Sequence, residues 1–347
     1  SDEINVTFEV EGCTDESACN YDSNAVCDNN SCEYIEDVNL GEDITTCEER
    51  ICLEPEFDQN VGTENSLSFN GVDDYIDTGN IEELETSYTS YGAWIKSIGP
   101  NQDEWTQNIV GKSATNGGVT LAIDPLGNLF FAIGADGNGT YAQANAMAYN
   151  DNCDGTYSDN KWHFVVGTYD GSTIKLYVDG QLEAQNEFNA GTIFLGDFPF
   201  FIGYRPDTNG SFFNGLISDV FIFDYALTED EIQNYFCSGL TGQESGLTAY
   251  WSMNEGTGNT LSDSGPNSID LSINSATWDT ESKPECSSLS YLWSTAETSL
   301  SIDATNSGIY NVQVISGSGC SDSDEINVTF EIEGCTDESA CNYDSNA

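Results

Sequence analysis

The sequence predicts an all-β protein, and three observations support this fold class. Short segments in which apolar and polar residues alternate recur along the chain, as expected for strands that bury one face. The alternating run Thr173–Val178 is followed directly by Asp179-Gly180, a dipeptide that favours the type I′ turn of a β-hairpin. One short helix is predicted at Glu229–Phe236, because Thr228 and Glu231 form the capping-box pattern T-x-x-E.

The other predicted strands form a central group and a flanking group. The central strands are Val119–Ile123, Leu129–Ile133, Phe164–Thr168, Phe200–Gly203 and Leu216–Phe223. The flanking strands are Ile4–Val10, Ile51–Leu53, Ser290–Trp293, Ser299–Ile302, Gly308–Ile315 and Ile326–Ile332. A series of short strands separated by turns is typical of β-sandwiches.

Length and charge limit the function of the chain. Its 347 residues suffice for two or three domains. The chain has 60 Asp and Glu residues and 7 Lys and Arg residues, a net charge of -53 that repels nucleic-acid phosphates and anionic lipids. Such a surface attracts cations, which screen its self-repulsion, and this predicts a saline, calcium-containing medium. The charge therefore argues against nucleic-acid binding. No apolar run reaches the about 18 residues of a membrane helix, so we do not expect membrane insertion either.

The cysteine content predicts disulfide bonds and an oxidising compartment. The chain has 12 Cys and 1 His. The spacing Cys13-x5-Cys19-x7-Cys27-x4-Cys32 lacks the C-x2-C pairs that structural zinc sites usually contain. We therefore expect disulfides and an extracellular or cell-surface location after secretion.

A 25-residue segment occurs twice in the sequence, near its two ends. Residues 1–25 and residues 323–347 are identical at 24 of 25 positions, and only Val10 and Ile332 differ. The two copies are offset by 322 residues, which indicates recent duplication of a whole module and predicts a tandem array. Residues 1–10 are then interpreted as the last strand of the preceding repeat, as Ile326–Ile332 completes the present one.

Several motifs between residues 59 and 285 resemble the laminin-G-like, concanavalin-A-like jelly roll. They are SLSFNGVDDYIDTG (66–79), AWIK (93–96), KWHFVVGTYDGSTIKLYVDGQL (161–182), FIGYR (201–205), FNGLISDVFIFDYALTEDEI (213–232) and the flanking motif GLTAYWSMNEGTGNTLSDSGPNS (246–268). The resemblance implies a jelly-roll sandwich over residues 59–285 and suggests glycan binding.

The segments on either side resemble a second family. NLGEDITTCEERICLEPE (39–56) and the segment 290–330 resemble the two halves of the Ig-like (PKD-like) repeats of bacterial surface proteins. The resemblance implies a smaller Ig-like β-sandwich split between residues 37–58 and 288–332, with Trp293 in its core, Tyr310 on a late strand, and the jelly roll inserted between the halves.

The segment GCTDESACNYDSNAVCDNNSCEY (12–34) resembles the cysteine-rich tags of giant secreted proteins of marine Bacteroidota. We therefore expect a disulfide-rich mini-module at residues 11–36, the preceding repeat's last Ig-like strand at 1–10, and the start of the next mini-module at 333–347.

Ten cysteines lie between residues 13 and 320, so all of them can pair within one repeat. Within the Ig-like resemblance, Cys47 precedes the first strand and Cys320 the last, and we pair them. For the small cluster we choose Cys13–Cys27 and Cys19–Cys32, although four cysteines allow three connectivities. Cys52–Cys286 would close the neck of the insertion, which leaves Cys153 and Cys237.

Calcium is the predicted cofactor, because hard cations prefer several carboxylate and carbonyl oxygens. The candidate ligands are Asp15, Asp22, Asp28 and Asn30 in the cysteine-rich segment and Asp73, Asp74 and Asp77 in the jelly roll. The pentraxin-type branch of the fold implies a further ligand at Asp207, although Tyr204, Arg205 and Pro206 depart from its pattern. The alternative for the first group is a solvated acidic turn held by disulfides alone.

Glycan binding would use exposed aromatic rings that stack on sugars. The candidates are Trp105, Tyr141, Tyr149, Tyr157 and Tyr204. The alternative is that these rings pack loops. His163, the single histidine, fits a strand pattern and is expected to be structural, and no nucleotide or zinc-protease motif is present.

We therefore expect a non-enzymatic repeat unit of an extracellular adhesive fibre that binds glycans or other cell surfaces. Neighbouring repeats of the same chain are expected partners, together with a homo-oligomeric bundle. Two alternatives stay open, namely a purely structural spacer with adhesion elsewhere, and an accessory region of a secreted polysaccharide hydrolase.

Overall fold

The computed structural model divides the protein into two compact units. The larger unit is Val61–Pro284, and the smaller unit combines Ser1–Asn60 with Glu285–Ala347. The described residues are 11–16, 18, 21–28, 36–46, 48, 50–58, 65–79, 81, 84, 86–100, 106–112, 118–135, 140–146, 156–193, 199–206, 211–281, 283–284, 290–298, 301–315 and 320–331. Nearly all regular structure in them is β-strand, which confirms the predicted fold class.

The strands are numbered in chain order. The smaller unit begins with β1 (Glu11–Gly12), β2 (Cys27–Asp28), β3 (Glu36–Asn39), β4 (Ile44–Thr46), β5 (Ile51–Leu53) and β6 (Glu56–Asp58). The larger unit contains β7 (Ser66–Asn70), β8 (Tyr75–Gly79), β9 (Thr89–Ser97), β10 (Gln107–Gly111), β11 (Gly118–Ile123), β12 (Leu129–Gly134), β13 (Tyr141–Ala146), β14 (Trp162–Tyr169), β15 (Thr173–Val178), β16 (Gln181–Glu187), β17 (Phe200–Ile202), β18 (Asn214–Phe223), the helix α1 (Glu229–Ser238), β19 (Leu247–Trp251), β20 (Thr260–Leu261), β21 (Leu271–Asn274) and β22 (Thr277–Asp279). The smaller unit ends with β23 (Ser290–Trp293), β24 (Ile302–Ala304), β25 (Gly308–Ile315) and β26 (Ser321–Phe330).

Two antiparallel sheets form the larger unit. The front sheet has the order β13-β12-β11-β10-β17-β8-β21-β20. The back sheet has the order β16-β15-β14-β9-β18-β7-β22, and β19 also pairs with β18. Alternate residues of the two sheets, such as Phe131 and Val165, are fully buried in one shared core. This arrangement is the jelly-roll sandwich that the sequence predicts.

Local signals in the back sheet act as predicted. Asp179 and Gly180 connect β15 to β16 with positive φ angles of 48° and 80°, as a type I′ turn requires. Helix α1 begins with the predicted capping box between Thr228 and Glu231. Its Phe236 stacks on the indole of Trp94 with ring centroids 5.5 Å apart, so the helix covers part of the outer face of the back sheet.

The smaller unit joins strands from both ends of the chain. Its main sheet has the order β23-β25-β26-β4, and β5 pairs with β24. β26 lies antiparallel to β25, with Ile326 opposite Tyr310, and parallel to β4, with Val328 opposite Ile44. Trp293 is buried in the core of this unit.

Two flanking strands differ from their predicted bounds. β26 begins at Ser321 rather than Ile326, because residues 321–325 also pair with β25 although they lack the apolar alternation of a strand. Asp322 and Asp324 lie in this polar extension. These carboxylates accept hydrogen bonds from the backbone N–H groups of Val38 at 3.1 Å and Leu40 at 2.8 Å. β24 occupies Ile302–Ala304, whereas the strand predicted at 299–302 begins at residues outside the described ranges. The strand predicted at 4–10 lies entirely outside the described residues.

The cysteine pairing is partly corrected. Cys13, Cys52 and Cys320 are disulfide-bonded. Cys27 keeps its thiol, so the predicted Cys13–Cys27 bond is wrong. The prediction failed because four cysteines in a short segment allow three connectivities, and their spacing does not determine which one forms. The other predicted partners, Cys19, Cys32, Cys47 and Cys286, lie outside the described residues together with Cys153, so those pairings stay predictions. Cys237, one of the two cysteines left over, is an exposed free thiol on α1.

Candidate functional site

Four aromatic rings form a cluster on the outer face of the front sheet. The ring centroid of Tyr204 lies 4.5 Å from that of Phe212 in a stacked arrangement. It also lies 5.1 Å from Phe201 and 5.5 Å from Tyr75. Tyr75, Tyr204 and Phe212 are half-buried, so each presents part of its ring to solvent. We call these four side chains the aromatic cluster.

The pleat of two neighbouring strands places the cluster. Ile76 of β8 is opposite Ile202 of β17, and both point into the core. Tyr75 and Phe201 are adjacent to these core residues in sequence, so they emerge on the other face of the sheet. Asp77 is opposite Phe201 and is exposed beside it.

A glycine and an asparagine fix the turn that carries Tyr204. Gly203 has a φ of +78°, and a Cβ atom there would lie 2.4 Å from the ring of Phe69. Its N–H donates a hydrogen bond of 2.9 Å to the carbonyl of Ile109. The side-chain amide of Asn108 donates to the carbonyl of Tyr204 at 2.8 Å, which ties the turn to β10.

Three carboxylates border the aromatic cluster. Asp73 accepts a hydrogen bond from the side-chain amide of Asn70 at 2.8 Å, and the backbone N–H of Asn70 donates to Asp74 at 2.9 Å. Burial raises the pKa of Asp74, the hydrogen bond from Asn70 opposes this shift, and the charge of Asp73 adds to it. Asp77 accepts from the N–H of Gly79 at 2.7 Å. The loop before β8 is therefore ordered by its own polar groups, with Asp73 and Asp77 exposed.

The predicted calcium ligands are placed only in part. The carboxylate of Asp22 accepts the backbone and side-chain N–H groups of Asn24 at 2.8 and 3.0 Å, and Asp15 is an exposed turn residue. Asp28 lies in β2, whereas Asn30 and Asp207 are outside the described residues. Where the structure describes the chain, no three His, Cys, Asp or Glu side chains form a group that could hold a metal ion.

The predicted sugar-stacking residues differ in position and in exposure. Tyr204 lies in the aromatic cluster, and Tyr141 is exposed at the start of β13. Tyr157 is 3% exposed and packs edge-on against His163, so its prediction as an exposed stacking residue is wrong, and it packs a loop instead. Trp105 and Tyr149 lie outside the described residues. Sequence reasoning missed Tyr75, Phe201 and Phe212, which reach Tyr204 only through the folding of the front sheet.

His163 holds two carboxylates at the end of the back sheet. Its Nδ1 lies 2.8 Å from the Asp179 carboxylate and its Nε2 lies 3.3 Å from that of Asp159. Burial by itself lowers the pKa of His163, but the charges and hydrogen bonds of Asp179 and Asp159 raise it to about 10. The ring is therefore an imidazolium ion at neutral pH, and each of its nitrogens faces a carboxylate.

Two lysines form ion pairs within the larger unit. Lys283 pairs with Asp219, which also accepts a hydrogen bond of 2.6 Å from the hydroxyl of Tyr250. Lys96 pairs with Glu281. These pairs attach the segment after β22 to the outer face of the back sheet.

Three further cations, two of them buried and one paired, add little positive potential to the surface. Lys112 and Arg205 are both buried. Arg50 is exposed, but it pairs with Asp303 at 2.8 Å. Beside the aromatic cluster, Asp73 and Asp77 are exposed, whereas Arg205, which follows Tyr204 in the sequence, is buried.

Comparisons with known proteins support the fold of the larger unit. Residues 70–233 match the model of a family described as the concanavalin A-like lectin/glucanases superfamily. A structure of a proposed carbohydrate-binding protein from Bacteroides ovatus is similar, with a TM-score of 0.51 and 18% identity over 68% of this chain and 69% of that one. A heptameric pentraxin from Limulus polyphemus has a TM-score of 0.42 and 14% identity over 61% of this chain and 96% of that one. No curated protein sequence matches the chain.

The family match confirms the concanavalin A-like fold that the sequence motifs indicate. The described residues also contain no helix that is long and apolar enough to cross a membrane.

Proposed function

We propose that the larger unit is a carbohydrate-binding module and that the aromatic cluster is its binding surface. The observation that carries this proposal is the stacked, partly exposed pair Tyr204 and Phe212 on the outer face of the front sheet. Binding sites for small polar molecules combine aromatic surface with a few polar groups that fix orientation. The similarity to lectin-like folds supports the same proposal.

The polar groups around the cluster suit sugar hydroxyls. Ser272 is opposite Asp77 and Asn274 is opposite Tyr75 in the pairing of β21 with β8. All four side chains therefore emerge on the outer face of the sheet. Carboxylate and amide groups there would bind hydroxyls while the rings of the cluster stack on the apolar face of a sugar.

The charge of the surface favours neutral or amino sugars. Asp73 and Asp77 are exposed beside the cluster, and Arg205, which follows Tyr204, is buried. A sulfated or uronic-acid polymer would be repelled by these carboxylates and by the net charge of the chain. The proposed ligand class is therefore neutral or cationic glycans.

A glycan array of neutral, amino-sugar and acidic glycans tests this proposal. We expect binding to neutral or amino sugars, and we expect Tyr204→Ala to weaken it by about tenfold or more because a central ring is removed. Tyr88→Ala is the matched control, since Tyr88 is an exposed tyrosine of the larger unit that is neither in the cluster nor among the predicted stacking residues. Equal binding by wild type and Tyr204→Ala, or binding confined to acidic glycans, would contradict the proposal.

We further propose that the chain is a repeat unit of an extracellular adhesive fibre without catalytic activity. The near-identical segments 1–25 and 323–347 support tandem duplication, and multivalent display raises avidity. The pairing of β5 with β24 and of β4 with β26 supports one Ig-like domain split between residues 37–58 and 288–332. The hydroxyl of Tyr310 donates to the carbonyl of Asn306 at 2.9 Å, an arrangement like the tyrosine corner of Ig-type sandwiches.

The spacer function is the second candidate, because duplication also increases length. It would be favoured if a single repeat bound no glycan on the array. Calcium is proposed as a structural ion of the acidic loops, because loops this rich in carboxylates repel themselves unless a cation neutralises them.

A further inference from the structure

The outer face of the front sheet is covered on one side of the aromatic cluster. Ala122 of β11 forms a buried group with Phe130 and Ala132 of β12, separate from the main core. Their neighbours in sequence, such as Leu121, point into the core, so these three side chains lie on the outer face. Asn108 of β10 is opposite Ala122 and is also fully buried. A ligand that binds the aromatic cluster therefore cannot extend over β10, β11 and β12.

On the other side of the cluster the same face is open. The strand register places four residues in one row across β17, β8, β21 and β20, namely Phe201, Asp77, Ser272 and Thr260. Asp77, Ser272 and Thr260 are exposed. β20 is the last strand in the order of the front sheet, so this row runs from the cluster to the edge of the sheet.

An amide side chain lies beside this row. Asn274 is opposite Tyr75, two positions along β21 from Ser272, so it emerges on the same face about 7 Å from the row. Its side-chain amide donates to the carbonyl of Ser272 at 3.3 Å, which holds it beside the row. Carboxylate, hydroxyl and amide groups are the partners that sugar hydroxyls require. We call Asp77, Ser272, Asn274 and Thr260 the polar strip.

The dimensions of the sheet set the length of the ligand. Neighbouring strands lie about 4.8 Å apart, so the three spacings from β17 to β20 span about 14 Å. Successive sugars of an extended chain are separated by roughly the distance between neighbouring strands, so the cluster and the strip have room for about three sugar units.

We propose that the aromatic cluster and the polar strip together bind the end of a linear glycan of at least about three sugar units. The terminal sugar stacks on the rings of the cluster, and the covered face at β10 stops the chain there. The next sugars cross Asp77, Ser272 and Thr260, and the rest of the chain leaves over the sheet edge at β20. This inference rests on the proposed glycan binding and adds the length of the ligand and the recognition of its end.

Titration calorimetry with ligands of increasing length tests the inference. The probes are neutral linear oligosaccharides of glucose, of mannose and of N-acetylglucosamine, each from one to six units. We expect the affinity to rise up to about three units and then to stay constant, because further units lie beyond the sheet edge. Equal affinity for one and three units, or a continued rise up to six, overturns this inference and leaves the proposed function intact. Absence of binding in these series and on the glycan array overturns both.

Long chains test the recognition of an end. At equal mass, a polysaccharide cut into short chains has more ends than the uncut polymer. We expect the amount of protein bound per mass of glycan to increase in proportion to the number of ends. A bound amount that depends on the mass alone would show binding along the chain and would overturn end recognition.

A double variant tests the polar strip. Ser272→Ala with Thr260→Ala should weaken binding of the three-unit ligand by about three- to tenfold, because hydrogen bonds to its second and third sugars are lost. Binding of the single sugar should not change, since it contacts the cluster alone. Both side chains are exposed, so we expect the variant to fold. Thr277→Ala is the matched control, since Thr277 is an exposed threonine on β22, the edge strand of the back sheet. Unchanged binding of the three-unit ligand by the double variant would reject the strip.

Discussion

The cluster of His163 with Asp159 and Asp179 predicts that the larger unit loses stability at alkaline pH. The pKa of His163 is about 10 in the folded protein, against 6.5 for the ordinary side chain. Because the folded pKa is the higher one, the folded state binds the proton more tightly. The stabilisation is complete below pH 6.5 and is lost progressively as the pH rises towards 10.

The structure sets the size of this effect. A shift of about 3.5 pKa units corresponds to about 5 kcal/mol at 1.36 kcal/mol per unit. This value is an upper bound, because the surroundings relax around the neutral ring. The ring is close to fully buried between both carboxylates, so the interaction is little screened by solvent.

Two measurements check the prediction. His163 is the only histidine, so a proton NMR titration follows a single imidazole, and we expect its midpoint well above 8. In urea denaturation, we expect His163→Gln to destabilise the larger unit strongly at pH 6 and much less at pH 10. A midpoint near 6.5, or an equal loss of stability at both pH values, would refute the assigned charge state.

Three further predictions concern other parts of the chain. Lys283→Met should lower the free energy of unfolding of the larger unit by about 3–5 kcal/mol in urea denaturation, because it leaves the buried carboxylate of Asp219 without its cation; an unchanged midpoint would show that the pair contributes nothing. Chelation at fixed ionic strength should lower the melting temperature, because removal of the proposed calcium ion loses its ligand linkage, and identical melting curves would count against the calcium proposal. Peptide mapping without reduction should recover Cys320 linked to Cys47, and a link from Cys320 to any other cysteine would reject that pairing.

Local signals in the sequence were sufficient for much of the fold. The hairpin after Thr173–Val178 and the capping box at Thr228 depend on neighbouring residues, so they could be read directly. The strand at Gly308–Ile315 has the alternation of a half-buried strand and was predicted with its observed bounds.

Features that depend on distant contacts could not be read in this way. β26 starts with Ser321 and Asp322, and these polar residues belong to a strand because their backbones pair with Ile315 and Val314 of β25. The aromatic cluster forms because the register of β8 with β17 places Tyr75 and Phe201 on the same face. The alternation of apolar core residues with outward-facing residues in β8 and β17 could have shown that Tyr75 and Phe201 lie on an outer face. No local pattern shows, however, that these two strands become neighbours.

The pairing of β26 with β4 also determines how the smaller unit would carry mechanical load. β4 precedes the larger unit in the sequence and β26 follows it, and they are parallel neighbours joined between Ile44 and Val328. A force applied to residues before β4 and after β26 passes directly across these backbone hydrogen bonds. It loads them in shear, together rather than one at a time. All residues between Thr46 and Val328, including the whole larger unit, then lie outside the path of the force, so the larger unit can stay folded while the chain on either side of it is stretched.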